Sequence, residues 1–134
     1  MKPVDRSEIL DYVTYTEKRE EIRAAALRAK SVRRILVGES FTFLFENRET
    51  IRYQVQEMMR SERMVREEMI LREIAVYNEL IPEQHSLSAS VFIAIRDRRE
   101  LQRFVTQAVD LPDFTYLLVD EERIVPTFDS RQLS

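Results

Sequence analysis

In this 134-residue sequence, the side chains best spaced to do chemistry are Asn47, Arg48, Arg52, Gln56, Arg60 and Arg63. Arg52, Gln56 and Arg60 recur every four residues, so on a helix they form one ridge. Arg48 falls at the start of that helix, where free backbone N–H groups favour an anion. The chemistry such a set offers is recognition of a phosphate, sulfate or carboxylate by guanidinium groups. Helix geometry limits it: Arg48 and Arg60 are about 18 Å apart along the axis, so a small anion needs one end of the ridge plus residues from elsewhere. The plainer reading is a solvated face whose arginines pair with neighbouring acids.

The rest of the inventory removes most catalytic machinery. With no Cys there is no disulfide, thiolate nucleophile or cysteine-ligated metal. The one His, His85, lies in a loop, Glu83-Gln84-His85-Ser86, without an identifiable partner to make it a base. The one Gly, Gly38, excludes glycine-rich phosphate and dinucleotide loops. Glu57, Glu62, Glu67, Glu68, Glu73 and Glu79 invite a carboxylate-bridged metal reading, but the Glu-x-x-His element of such sites is missing. Glu62 with Arg66, and Glu68 with Arg72, instead have the spacing of surface ion pairs. No metal site and no cofactor are expected. Among the methionines, Met58 and Met59 continue an apolar stripe, whereas Met64 and Met69 are left as a candidate soft surface for a protein partner.

Charge and hydropathy narrow the partners. Lys plus Arg total 21 against 24 acids, a net charge of −3, which argues against nucleic acid. The longest apolar run, Val91-Phe92-Ile93-Ala94-Ile95, is strand-sized, and a spanning helix needs roughly 20 residues. The opening residues lack an apolar signal core, so the expected compartment is the cytoplasm.

The elements that must position these residues read as follows. Asp5 with Glu8 starts a short helix carrying Ile9, Leu10, Tyr12 and Val13, and Thr14 with Glu17 starts a second that runs to about Lys30. The basic end of that second helix, Arg28 to Arg34, reads as compensation of the helix dipole. The period then falls to two: Ile35 to Val37, a turn at Gly38, and Phe41 to Phe45 make a hairpin. Asn47 caps a helix with Ile51, Val55, Met58 and Met59 on one stripe. A further helix carries Ile70, Ile74, Tyr77 and Ile81 to Pro82, and the two form an antiparallel pair. Leu87, Ala89, Val91, Ile93 and Ile95 alternate on a strand whose other face, Ser88, Ser90, Phe92 and Ala94, is small except for Phe92, so cover on both faces and a central position are expected. Asp97 caps a helix over 98–109, and 114–119 with 123–128 form a second hairpin with Pro126 at an edge. The whole predicts a single α+β domain over 1–134. Its mixed or mostly antiparallel sheet has about five strands, with a crossover from strand 87–95 to strand 114–119 and the helices largely on one side. The last residues, Asp129 to Ser134, bring no capping element, so either the tail is loose or more polypeptide follows.

Several of these stretches together are more specific. Leu44-Phe45-Glu46-Asn47-Arg48-Glu49-Thr50, Gln54 through Arg63, Tyr77-Asn78-Glu79-Leu80-Ile81-Pro82 and Leu87-Ser88-Ala89-Ser90 resemble an uncharacterised bacterial family, domain of unknown function 3501, over essentially the whole chain. Members of that family carry Gly where this chain has Glu83-Gln84-His85, which lowers the standing of His85, and they continue beyond residue 134. The resemblance implies no established activity. Family genes sit beside those of rubrerythrin-like and iron–sulfur oxidoreductase proteins, implying an accessory role in redox metabolism. The site residues it implies are Glu46, Asn47, Arg48, Gln56, Glu57, Arg60 and Asn78.

Two functions are therefore expected. The first is a non-catalytic binding or adaptor domain, homodimeric or docking a protein partner through the methionine-bearing helix pair. The second is an enzyme acting on an anionic small molecule, with Glu46 or Glu57 as base and Arg48 or Arg60 as clamp.

Overall fold

A computed structural model describes residues 1–107 and 115–128, in two compact units, Met1–Ala94 and Ile95–Ser134. The fold class is α+β, with four α-helices and five strands among the described residues.

In the first unit, Asp5 caps a 3-10 turn, Arg6–Glu8, and the Glu8 carboxylate accepts the Asp5 N–H in return at 2.8 Å. The turn ends there instead of continuing as a helix, because Ile9 is extended. Helix α1, Tyr12–Ser31, starts earlier than the Thr14 signature suggests: Asp11 accepts the Thr14 N–H at 2.9 Å, and Asp is the better cap. Helix α2, Arg48–Ser61, is capped by Asn47 as its sequence predicts. It packs against both α1 and α3, Glu67–Asn78. The stripe of α2 is almost completely buried, with Ile51 at 1%, Val55 at 0% and Met59 at 2% exposure. Each such side chain contributes about 1.5–3 kcal/mol of burial. Ile70, Ile74 and Ile81 join them, as do Val4 and Ile9 from the N-terminal segment.

The α2–α3 connection reverses through a motif that the sequence conceals. Arg63 adopts φ +50°, its N–H bonds Arg60 O at 3.3 Å, and Met64 N–H bonds Met59 O at 2.9 Å. This pair of bonds is a Schellman ending, which ordinarily takes Gly at the left-handed position and folds the following apolar side chain back onto the helix. Here Arg occupies the position and Met64 is the returning side chain.

Strands β1, Arg34–Val37, and β2, Phe41–Phe45, form the expected hairpin, with Gly38 at φ +64° in its turn. Strand β3, Ala89–Ile93, pairs antiparallel with β2. The order is β1-β2-β3, so β2 is the centre and β3 an edge, contrary to the central position expected for it. Apolar residues on both faces of β3 do not imply cover on both faces: Phe92 is 53% exposed. His85, in the preceding loop, is exposed at φ +65°, a conformation Gly adopts freely.

In the second unit, Asp97 starts α4, Arg98–Gln107, by accepting the Arg99 N–H at 2.8 Å. Strands β4, Leu117–Val119, and β5, Glu122–Ile124, form a hairpin whose two-residue turn has Asp120 at φ +53°. They make a separate two-stranded sheet. Among the described residues the five strands are thus divided three and two, so β3 and β4 do not share the one sheet that the expected crossover requires. The expectations for Ala108, Val109, Pro112, Phe114 and the tail over 129–134 lie outside the described residues.

Replacing Arg63 with Gly relieves the left-handed backbone of a side chain while keeping both Schellman bonds. Arg63→Gly is expected to raise the unfolding free energy by about 1 kcal/mol in denaturant titrations; a loss of stability would mean that the Arg63 side chain holds the turn.

Candidate functional site

The residues expected to form a site are placed one by one, and three of the seven, Arg48, Gln56 and Asn78, hold the N-terminal segment. Gln56 is buried at 4% exposure and does not stand on a solvated ridge. Its amide oxygen accepts the Leu10 N–H at 2.6 Å, and its amide nitrogen donates to the Leu10 carbonyl at 3.2 Å. Asn78 does the same for Val4, accepting its N–H at 2.8 Å and donating to its carbonyl at 3.1 Å. Each primary amide stands in for a strand neighbour at one residue, bonding both the N–H and the C=O of Val4 or of Leu10. Arg48 forms an ion pair with Glu8, whose carboxyl is held below its ordinary value by that hydrogen bond. At the other side Arg6 pairs with Glu67 at 2.7 Å. Asn47 is occupied as the helix cap, accepting the Thr50 N–H at 2.9 Å.

Glu57 belongs to a second group, which joins α1 to α2. Its two oxygens accept from Tyr15 Oη at 2.7 Å, Tyr53 Oη at 3.0 Å, Arg19 Nε at 3.1 Å and an Arg19 terminal nitrogen at 2.9 Å. Burial alone would raise the Glu57 pKa, but the bidentate guanidinium and the two phenols outweigh it and bring it to about 2. Both phenols are shifted upward, first by burial and then by their bonds to the carboxylate. A carboxylate so well satisfied is a poor general base, since its proton affinity lies far below neutrality. The Lys30 ammonium lies 4.9 Å from the Tyr53 ring centre, and burial lowers its pKa. Lys30 is therefore packed against α2, whereas its position at the helix end suggested dipole compensation.

Glu46 is buried at 6% exposure and accepts from Thr50 Oγ1 at 2.5 Å. The two methionines of the expected partner surface separate. Met64 is 4% exposed and sits in the core, carried there by the Schellman turn, so it cannot present itself to a partner; Met69 is 40% exposed. Arg60 is the exception among the polar candidates, because its Nε is buried with no hydrogen-bond partner. Two open hollows, each of about 370 Å³, include Asn78 with Pro3 and Ser88 in one, and Asn47 with Arg48 and Arg52 in the other. Glu46, Gln56, Glu57 and Arg60 line neither. Among the described residues, no group of three or more His, Cys, Asp or Glu side chains is arranged to hold a metal ion. No described helix is long and apolar enough to cross a membrane. Sequence reasoning missed Tyr15, Arg19 and Tyr53; their only signal is the i, i+4 spacing of Tyr15 with Arg19 and of Tyr53 with Glu57 on adjoining helices.

Two measurements separate structural from ligand-binding roles. Asn78→Ala is expected to lose about 1–3 kcal/mol of stability, as the Val4 backbone loses its partner, and to speed hydrogen exchange at the Val4 amide. Unchanged stability would mean that Asn78 is free for a ligand. For Glu57, the folded carboxyl titrates at about 2 against an ordinary 4.5. Its stabilisation is therefore complete above pH 4.5 and lost as pH falls towards 2. Glu57→Gln should flatten the acid limb of the stability profile over that window; an unaltered limb would remove Glu57 as its source.

Comparisons with known proteins identify the family. No curated protein matches the sequence. A crystal structure from Burkholderia pseudomallei K96243, titled as a novel protein of unknown function, is similar at 26% identity and a TM-score of 0.80, over 91% of this chain and 70% of that one. The model of the family described as protein of unknown function (DUF3501) matches residues 3–134, and the chain belongs to that family.

Proposed function

We propose that the chain is a cytoplasmic, non-catalytic binding domain that acts as an adaptor for protein partners. What carries this reading is the contrast between its polar and apolar surfaces. The polar candidates Asn47, Arg48, Gln56, Glu57 and Asn78 are all committed to internal bonds. The three-stranded sheet, by contrast, presents one face made only of apolar residues: Ile35 and Val37 from β1, Phe41, Phe43 and Phe45 from β2, and Ala89, Val91 and Ile93 from β3. Ile35 is 50%, Val37 49% and Ile93 36% exposed. Side chains of this kind lose water favourably against a partner, and none offers a nucleophile, acid or base. The partner class follows the family resemblance: rubrerythrin-like and iron–sulfur oxidoreductase proteins. The direct test is co-purification of the tagged chain with those two classes. Capture is expected from the unmodified chain and is expected to be lost in an Ile35→Glu, Val37→Glu variant with an unchanged circular dichroism spectrum. No capture of either class, or capture indifferent to the substitutions, would count against the proposal.

One observation favours the enzymatic alternative on an anionic small molecule: the unpartnered Nε of Arg60. Phosphate, sulfate and small carboxylates far above a weak dissociation constant are expected to leave the melting temperature unchanged. A rise abolished by Arg60→Ala would favour the alternative.

A further inference from the structure

The alternation of hydrogen bonds across the sheet determines which backbone groups of β1 are unspent. Phe45 N–H bonds Arg33 O at 2.9 Å, so Ile35 and Val37, which share the register of Arg33, turn their N–H and C=O groups towards β2. Arg34 and Leu36 consequently turn theirs away from the sheet. Among the described residues, no group bonds these outward N–H and C=O groups. The side chains beside them are equally uncovered: Leu36 is 72% exposed on one face, with Ile35 and Val37 half exposed on the other. Exposed edges are normally blunted by Lys, Pro, a bulge or an inward charge, and Arg-Ile-Leu-Val has only Arg34.

We propose that β1 is the contact between two copies of this chain, pairing antiparallel with its own copy about a twofold axis to form a six-stranded sheet. The assignment rests on the binding-domain reading above and names one occupant for the sheet's edge. A second copy is favoured because the edge complements itself. Antiparallel pairing requires outward groups to meet outward groups, so the axis passes through a single residue of β1. An axis at Arg34 would oppose two guanidinium groups, which is unfavourable. Axes at Ile35 or Leu36 pair Arg34 with Leu36, or Leu36 with itself, and no like charges meet. Twofold pairing closes after two copies, whereas pairing β1 with the other edge, β3, is head-to-tail and adds copies into a larger ring or an open filament. In either permitted register, Ile35 and Val37 of both copies lie on the same face as the phenylalanines.

Leu36→Pro tests this directly. The Leu36 N–H points outward, so proline removes a donor to the second copy while leaving the β1–β2 bonds intact. Sedimentation of the unmodified chain is expected at twice 16.0 kDa. Its Arg34 and Leu36 amides should exchange about tenfold or more slower in the dimer than at dilutions where it dissociates. Leu36→Pro is expected to be monomeric with an unchanged circular dichroism spectrum. Should the proline variant fail to fold, Leu36→Lys, which keeps the backbone bonds within the chain, is expected to be monomeric in its place. A monomer at all concentrations, assembly beyond the dimer, or a dimer indifferent to Leu36→Pro or Leu36→Lys would overturn the assignment. Capture of a redox partner by a monomeric chain would overturn this pairing alone and leave the binding-domain reading standing.

Discussion

Helix α2 is enclosed on two sides by different kinds of interaction. On one side Ile51, Val55 and Met59 meet α3 and the N-terminal segment in an apolar core. On the other, Tyr53 and Glu57 receive Tyr15, Arg19 and Lys30 from α1. A helix buried this way has no solvent face wide enough for a row of free arginines, and Gln56 is drawn inward with its neighbours. The loss of the expected ridge follows directly from that enclosure, and so does the dispersal of the candidate site.

Burial also explains why the polar residues are so fully satisfied. Once Val4 and Ile9 enter the core, the backbone groups of Val4 and of Leu10 beside Ile9 need partners in place of water. Asn78 and Gln56 answer that need, one from α3 and one from α2. The amide atoms of Asn78 and Gln56 are thus spent on the chain's own backbone.

How much of this was legible depends on the range of the interaction. Local signals were readable: Asn47 three residues before Thr50, the period of Ile51, Val55 and Met59, and the alternation across the Gly38 turn all identify their elements. The amide of Asn78 meets Val4 across 74 positions, and that of Gln56 meets Leu10 across 46. No periodicity marks such a pair in one sequence. Met64 was misread for a local reason, since its return to the core depends on a left-handed residue and Arg63 gives no glycine signal. The position of β3 was misread because an apolar run reports what a strand is made of, and the same composition fits an edge that carries exposed Phe92.

The long reach of the Asn78 bridge has a consequence for how the chain is made. Val4 leaves the ribosome 74 residues ahead of its backbone partner Asn78, and Arg6 leaves it 61 residues ahead of Glu67, its ion-pair partner. At a synthesis rate of about 5–20 residues per second, the opening segment waits several seconds with Val4 and Ile9 uncovered. Helix α1 and the first hairpin emerge in that interval with nothing to secure the segment in front of them. The bridge that holds Val4 is thus completed only with α3, and a nascent chain stalled before residue 78 would present Val4 unsecured to whatever chaperone attends it.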